Sequence, residues 1–192
     1  MSESLRPDDA SATPAPGREK LARLSWRMEW VTTIGIVLIV ALMGLAFVIP
    51  GWTRNLLMAR LGETGARLPL DPVAQAVAGL ITAVPVGVLV WGLFHVRALF
   101  RDYARGAVFT AAAAHHLRVF GVSVMLQGPL GPLTATALAL ALSLANPPGQ
   151  RLLVLTVSIN DYVALVVGGV LVAVAAVMRE AVQIADENAA FV

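Results

Sequence analysis

Four long apolar stretches constrain this chain more than any other feature. They cover about residues 31–49, 73–96, 117–144 and 162–182, and none has Asp, Glu, Lys or Arg near its middle. An α-helix of roughly 20 residues crosses the hydrocarbon core of a bilayer and satisfies its own backbone hydrogen bonds there. The pattern therefore predicts an all-α integral membrane protein whose four transmembrane helices pack as a bundle.

The overall composition agrees with lipid as the solvent. Hydrophobic residues make up 58% of the chain and charged residues 14%, against about 25% charged in an ordinary soluble protein. The absence of cysteine excludes disulfides, thiolate metal sites and thiol catalysis. The net charge is only +2 despite a pI near 9.7, so the basic residues indicate orientation and we expect no direct nucleic-acid partner.

The segments around the first apolar stretch are expected to lie outside the membrane core. Residues 1–20 are predicted to form a disordered cytoplasmic tail, and residues 21–192 the membrane domain. Pro50-Gly51 should end the first helix, followed by an interfacial helix around Trp52 and Leu56, and Pro72 suits the start of the next helix. Residues 151–160 alternate and are expected to be extended.

The basic residues predict the orientation. Ten of them flank the membrane on one side and four on the other, so the positive-inside rule places both termini in the cytoplasm. Together with the Ala-, Gly-, Leu- and Arg-rich usage, this predicts a multi-pass protein of a bacterial cytoplasmic (inner) membrane. The larger group is Arg6, Arg18, Lys20, Arg23, Arg27, Arg97, Arg101, Arg105, Arg118 and Arg179, and the smaller is Arg54, Arg60, Arg67 and Arg151.

Prolines and glycines within the stretches predict irregular helices and close contacts. Pro85 should kink the second helix, and the pairs that contain Pro129 and Pro132 should bend or locally unwind the third. Residues 164 and 168, and residues 169 and 173, show the spacing of small residues that lets helices approach closely. We expect packing within the bundle, with a homo-oligomer as the alternative.

The connection between the second and third stretches has recognisable helix-end chemistry. Gly106 suits a helix C-cap, where the backbone needs positive φ, and Thr110 suits the N-cap of the following helix. Phe109 is then placed to pack onto the first turn of that helix. The connection is predicted to be helix, tight turn, helix.

A basic stripe of Arg97, Arg101 and Arg105 precedes this connection, and an acidic group of Glu180, Asp186 and Glu187 lies near the C-terminal end. They could be topogenic arginines on lipid phosphates with an internal ion-pair cluster, or a docking surface for a small cytoplasmic partner. The candidate interaction residues are Arg97, Arg101, Arg105, Gly106, Phe109, Thr110, Arg118, Glu180, Asp186 and Glu187.

We expect no catalytic, cofactor or metal site. His115 and His116 are adjacent and point about 100° apart on a helix, so they cannot share one ligand face. His95 is the best haem candidate, but no second histidine is expected to face it from another span. Hydroxyls such as Ser123 lack a base at that depth, so an enzyme is not expected.

Residues 99–110 (LFRDYARGAVFT), with Leu117-Arg118, Gly121 and the acidic, apolar-tipped end, resemble a bacterial membrane family known as domain of unknown function 2975. The resemblance covers most of the chain after Val31 and implies four membrane helices without an established activity. Some relatives are encoded beside small helix-turn-helix regulators, which suits a membrane receptor that sequesters or signals to one.

Two hypotheses for the function follow. The first is a non-enzymatic regulatory or interaction protein that contacts a cytoplasmic partner, such as a small helix-turn-helix regulator. The second is a small transport or permeability component, or an accessory subunit, with the proline-containing third helix lining a path.

Overall fold

The computed structural model describes residues 16–66, 71–143 and 155–190. Within these ranges all regular secondary structure is α-helical, which confirms the predicted fold class. The helices are α1 (Pro16–Val48), α2 (Pro50–Leu61), α3 (Glu63–Ala66), α4 (Pro72–Ala104), α5 (Ala111–Ser143) and α6 (Ile159–Ala190).

Four of these helices are long and apolar enough to cross a membrane. The segments are Arg23–Val48, Pro72–Ala104, Ala111–Ser143 and Ile159–Asn188. The 33 residues of α4 or α5 extend about 50 Å, beyond the roughly 30 Å of a hydrocarbon core, so these helices continue past the apolar layer. The chain is a multi-pass membrane protein.

The structure differs from the sequence predictions at two helix starts. Helix α1 begins at Pro16, so residues 16–20 of the predicted tail are helical, while residues 1–15 lie outside the described residues. Of the segment expected to be extended, residues 151–154 also lie outside them. Residues 155–158 have no regular structure, and Ile159 already belongs to α6.

Polar side chains explain where α4 and α6 begin. The backbone N–H of Ala74 donates to Asp71 Oδ1 at 2.6 Å, and Pro72 occupies the first helical position as predicted. At α6, Ser158 and Asp161 cap each other: the Ser158 N–H donates to Asp161 Oδ2 at 2.8 Å, and the Asp161 N–H donates to Ser158 Oγ at 3.3 Å.

The long helices pack as antiparallel neighbours in chain order, α1 against α4, α4 against α5, and α5 against α6. Glu29 near the middle of α1 pairs with Arg101 near the end of α4, and Phe47 near the end of α1 lies beside Gly79 in the first third of α4. In the part of the chain that the structure describes, α1 and α6 form the edges of this row without an extended contact of their own.

Glycines allow α5 and α6 to approach closely. A Cβ atom at Gly128 or Gly131 would collide with Asp161, and one at Gly168 would collide with the backbone of Met125. Helix α5 stays helical across both of its Gly-Pro pairs, so the predicted local unwinding does not occur. The bends expected at Pro85, Pro129 and Pro132 remain predictions.

Helix α2 folds back against the long helices and completes the core at one end. The Thr53 hydroxyl is fully buried and donates to the Ala46 carbonyl at 2.8 Å, which ties α2 to the end of α1. The apolar face of α2 buries Leu57 and Leu61 against side chains of α4 and α5, namely Ala78, Ala135, Leu138, Ala139 and Leu142. This confirms the helix predicted after Pro50 and shows that it belongs to the core.

The two ends of the molecule differ in chemistry. The histidine end contains the start of α1, the α4–α5 connection and the end of α6, with His95, His115 and His116. The α2 end contains α2, α3 and the start of α6. The histidine end carries most of the basic residues, so the positive-inside rule still predicts that it faces the cytoplasm.

Candidate functional site

The turn between α4 and α5 is fixed by backbone hydrogen bonds. The Gly106 N–H donates to the Tyr103 carbonyl and the Ala107 N–H to the Asp102 carbonyl, both at 3.0 Å, which is the Schellman arrangement. Gly106 has a φ of +84°, a conformation that costs a residue with a Cβ about 1–2 kcal/mol. The predicted C-cap role of Gly106 is confirmed.

The start of α5 is fixed in the same way. The Ala113 N–H donates to Thr110 Oγ1 at 3.1 Å, which confirms Thr110 as the N-cap. The predicted packing of Phe109 onto the first helical turn is wrong, because its side chain is 75% exposed. The turn therefore holds a large aromatic side chain away from the helices on an ordered backbone.

Two of the candidate arginines form ion pairs with Glu29 within the molecule. Arg101 Nε donates to Glu29 Oε1 at 3.3 Å, and Arg97 Nε lies 3.6 Å from the same oxygen. Glu29 is only 20% exposed, so its charge is partly removed from water and both arginines compensate it. This is the internal ion-pair cluster that the sequence offered as one explanation of the basic stripe.

The remaining charged candidates lie on the surface. Arg105 is exposed at the α4–α5 turn, and Arg118 is exposed about two helical turns into α5. Glu180, Asp186 and Glu187 are exposed on α6, where Gln183 Nε2 donates a side-chain hydrogen bond to Glu187 Oε1 at 3.1 Å. Because α5 separates α4 from α6, the basic and acidic stripes form two separate surfaces.

The histidines form a cluster between α4 and α5, which corrects the expectation that none faces His95. His95 Nδ1 and His116 Nδ1 are 2.9 Å apart, so an N–H group of one ring donates a hydrogen bond to the unprotonated nitrogen of the other. Asp102 Oδ2 lies 3.9 Å from His116 Nε2 and favours a proton there, so we assign His95 as the donor. Among the described residues, no group of three or more side chains suits a metal ion.

A cavity of about 600 Å³ lies at the α2 end, between α1, α2, α4 and α5. A second, smaller space of about 430 Å³ adjoins it toward α6. Both are lined by Leu56, Arg60, Pro85, Gln127 and Thr134. Gln127 Nε2 donates to the Pro85 carbonyl at 3.0 Å, which places an amide in the wall of the cavity near the middle of the bundle.

Sequence reasoning missed Glu29, Gln127 and Asp161. Glu29 was hidden because it follows several basic residues in α1 and pairs with a helix more than sixty positions away. Gln127 offered a usable signal, since an amide within a span usually has a partner on another helix. Asp161 could have been recognised from Ser158, three residues earlier, as a capping pair.

These features define a class: a multi-pass α-helical membrane protein with an ordered charged turn at one end and a cavity at the other. The sequence matches the family described as "Protein of unknown function (DUF2975)" over residues 28–192. The chain belongs to this family, which confirms the resemblance inferred from its motifs. No curated protein and no solved structure matches the chain.

Proposed function

We propose that the protein is a non-enzymatic membrane regulatory protein that binds a small cytoplasmic partner through the α4–α5 turn, residues 105–110. The observation that carries this proposal is Phe109, which is 75% exposed on a backbone fixed on both sides. An aromatic side chain presented on a rigid turn loses little conformational entropy on binding, as is typical of interface anchors.

The charges around Phe109 indicate the chemistry of the partner. Arg105 is exposed in the same turn and Arg118 is exposed about two helical turns into α5, whereas Arg97 and Arg101 pair with Glu29. A partner would therefore offer an apolar pocket for the ring and carboxylates around that pocket. The acidic end of α6 is a separate surface suited to basic groups, and a small helix-turn-helix regulator could use either surface.

The test is an affinity pull-down of the full-length protein from gently solubilised native membranes, followed by mass spectrometry. We expect a small cytoplasmic protein with the wild type, and its recovery should fall at least about tenfold in Phe109→Ser and Arg105→Glu, as for an interface anchor. Arg27→Glu is the matched control, because it reverses an exposed charge at the same end of the molecule and lies on α1, away from the turn and from the acidic end of α6.

Reversal of Arg101 is a poor test, because it also breaks the Glu29 ion pair. If both turn variants recover the same proteins as the wild type and the Arg27→Glu control, the turn is not a docking site. Recovery of only the protein itself or other membrane subunits, unchanged by the variants, would contradict the regulatory proposal in the same way.

A transport or permeability role is the second proposal, and the cavity at the α2 end is the observation in its favour. The residues of α4 that line the cavity of about 600 Å³ extend from Thr82 only as far as Leu89. Beyond them, Gly92 packs directly against Ser123. A transport role predicts flux in proteoliposomes that changes in Pro129→Ala, whereas a closed pocket predicts none in either protein.

A further inference from the structure

We infer that the larger chamber, the cavity of about 600 Å³ between α1, α2, α4 and α5, binds a single-chain amphiphile with an anionic headgroup. Its volume falls within the range of about 300–1,000 Å³ that is usual for small-molecule sites. This inference does not depend on the α4–α5 turn or on a cytoplasmic partner, since it concerns the opposite end of the molecule.

The walls of the chamber suit a hydrocarbon chain. Aliphatic and aromatic side chains from α1 and α4 line it on two sides, namely Ile39, Leu42, Met43, Phe47, Val86 and Leu89. Such walls offer no hydrogen bonds, so water gains little there, whereas they match the polarity of an acyl chain and keep it out of water. The chamber reaches about the middle of α4, a depth that matches a chain lying along the helices.

The charge of the residues that line the larger chamber indicates an anionic headgroup. Arg60 is exposed, and it is the single ionised side chain among the described residues that line the larger chamber. Asn55 and Thr53 line it beside Arg60 at the α2 end, although the Thr53 hydroxyl already has protein partners. A carboxylate or phosphate would receive charge-assisted hydrogen bonds from the Arg60 guanidinium.

The smaller chamber explains why the headgroup stays on the side of Arg60 that faces the larger chamber. Arg60 lines both chambers, but the smaller one also contains the buried carboxylate of Asp161, which would repel an anion that moved toward α6. Asp161 Oδ2 is already engaged by the Ser158 N–H. An anionic headgroup is therefore held at Arg60 by attraction from one side and repulsion from the other.

The test uses tryptophan quenching by dibromostearate with the full-length protein in non-ionic detergent. Trp52 lines the chamber, whereas the other three tryptophans lie toward the histidine end and are replaced by Phe. We expect saturable quenching of Trp52, with affinity about tenfold weaker in Arg60→Gln. Arg54→Gln is the matched control on the same helix, because Arg54 does not line the chamber.

A second pair of variants tests whether the acyl chain of the amphiphile lies in the larger chamber. Val86→Phe fills the chamber and should weaken quenching by dibromostearate and by its methyl ester, which has no charge. Val84→Phe adds the same volume at a position that is 58% exposed and should change neither. Met43→Phe provides a second obstruction from α1 if Val86→Phe does not give a monodisperse protein.

Two outcomes would overturn the inference. Equal quenching in Val86→Phe and Val84→Phe would place the probe in the detergent belt and not in the chamber. Equal affinity for dibromostearate and its methyl ester, with no loss in Arg60→Gln, would remove the anionic headgroup. Comparison with a dibromostearoyl lysophosphatidate distinguishes a free fatty acid from a phosphate-headed lipid. Tighter binding of either one supports a single-chain amphiphile with an anionic headgroup.

Discussion

Replacement of Glu29 by Gln tests whether the ion-pair cluster holds α1 to α4 at the histidine end. One carboxylate oxygen of Glu29 lies 3.3 Å from Arg101 Nε and 3.6 Å from Arg97 Nε. The change to Gln keeps the size of the side chain and an acceptor oxygen but removes the charge. Both arginines then remain close to each other without a compensating anion.

The expected cost follows from exposure and geometry. Exposed ion pairs contribute about 0.2–1 kcal/mol each. The two arginine side chains are 36% and 42% exposed, which screens them, but Glu29 is only 20% exposed. Arg97 Nε is a buried atom without a hydrogen-bond partner among the described residues, so its pair contributes less than the Arg101 pair. We expect a total loss of about 1–2 kcal/mol.

The assay is unfolding of the purified protein in a fixed detergent, by heat and by a denaturing detergent. For a chain of this size the predicted loss lowers the thermal midpoint by about 2–8 °C. A double-mutant cycle with Arg101→Gln should give a coupling energy of about 0.5–1 kcal/mol that decreases with added salt. Glu180→Gln, on the exposed surface of α6, is the control and should stay within about 0.5 kcal/mol of wild type. A coupling energy of zero would refute the ion-pair argument.

Three further predictions concern packing, capping and the histidines. Gly168→Val should lower the free energy of unfolding by about 1–3 kcal/mol, because the added Cβ would collide with the backbone of α5. Gly169→Val should be nearly neutral in the same unfolding assay, because a Cβ at Gly169 would point into open space. Thr110→Ala should cost about 1 kcal/mol and Thr110→Ser much less, since only the hydroxyl caps α5. His95→Phe should lower the free energy of unfolding by about 0.5–1.5 kcal/mol, because it keeps an aromatic ring but removes the hydrogen bond to His116. An unchanged free energy of unfolding in the same assay would contradict this explanation.

Residues near in sequence were predicted well. The C-cap at Gly106, the N-cap at Thr110 and the helix start at Pro72 depend on local backbone geometry, and all three are present in the structure. Phe109 was predicted wrongly although it is also local. A staple requires a suitable partner one turn into the helix, and the residue there is Ala114, which offers little apolar surface.

The apolar stretches by themselves determined that this chain forms four membrane helices, because a continuous apolar stretch of about 20 residues crosses the bilayer as a helix that satisfies its own backbone hydrogen bonds. Only the tertiary structure decided which side chains meet. The pairs Glu29 with Arg101 and His95 with His116 join helices that are distant in sequence. The placement of α2 against the core also depends on how the long helices pack, and it creates the cavity that Arg60 borders. Such contacts depend on helix rotation and register, which hydrophobicity along a single chain does not specify.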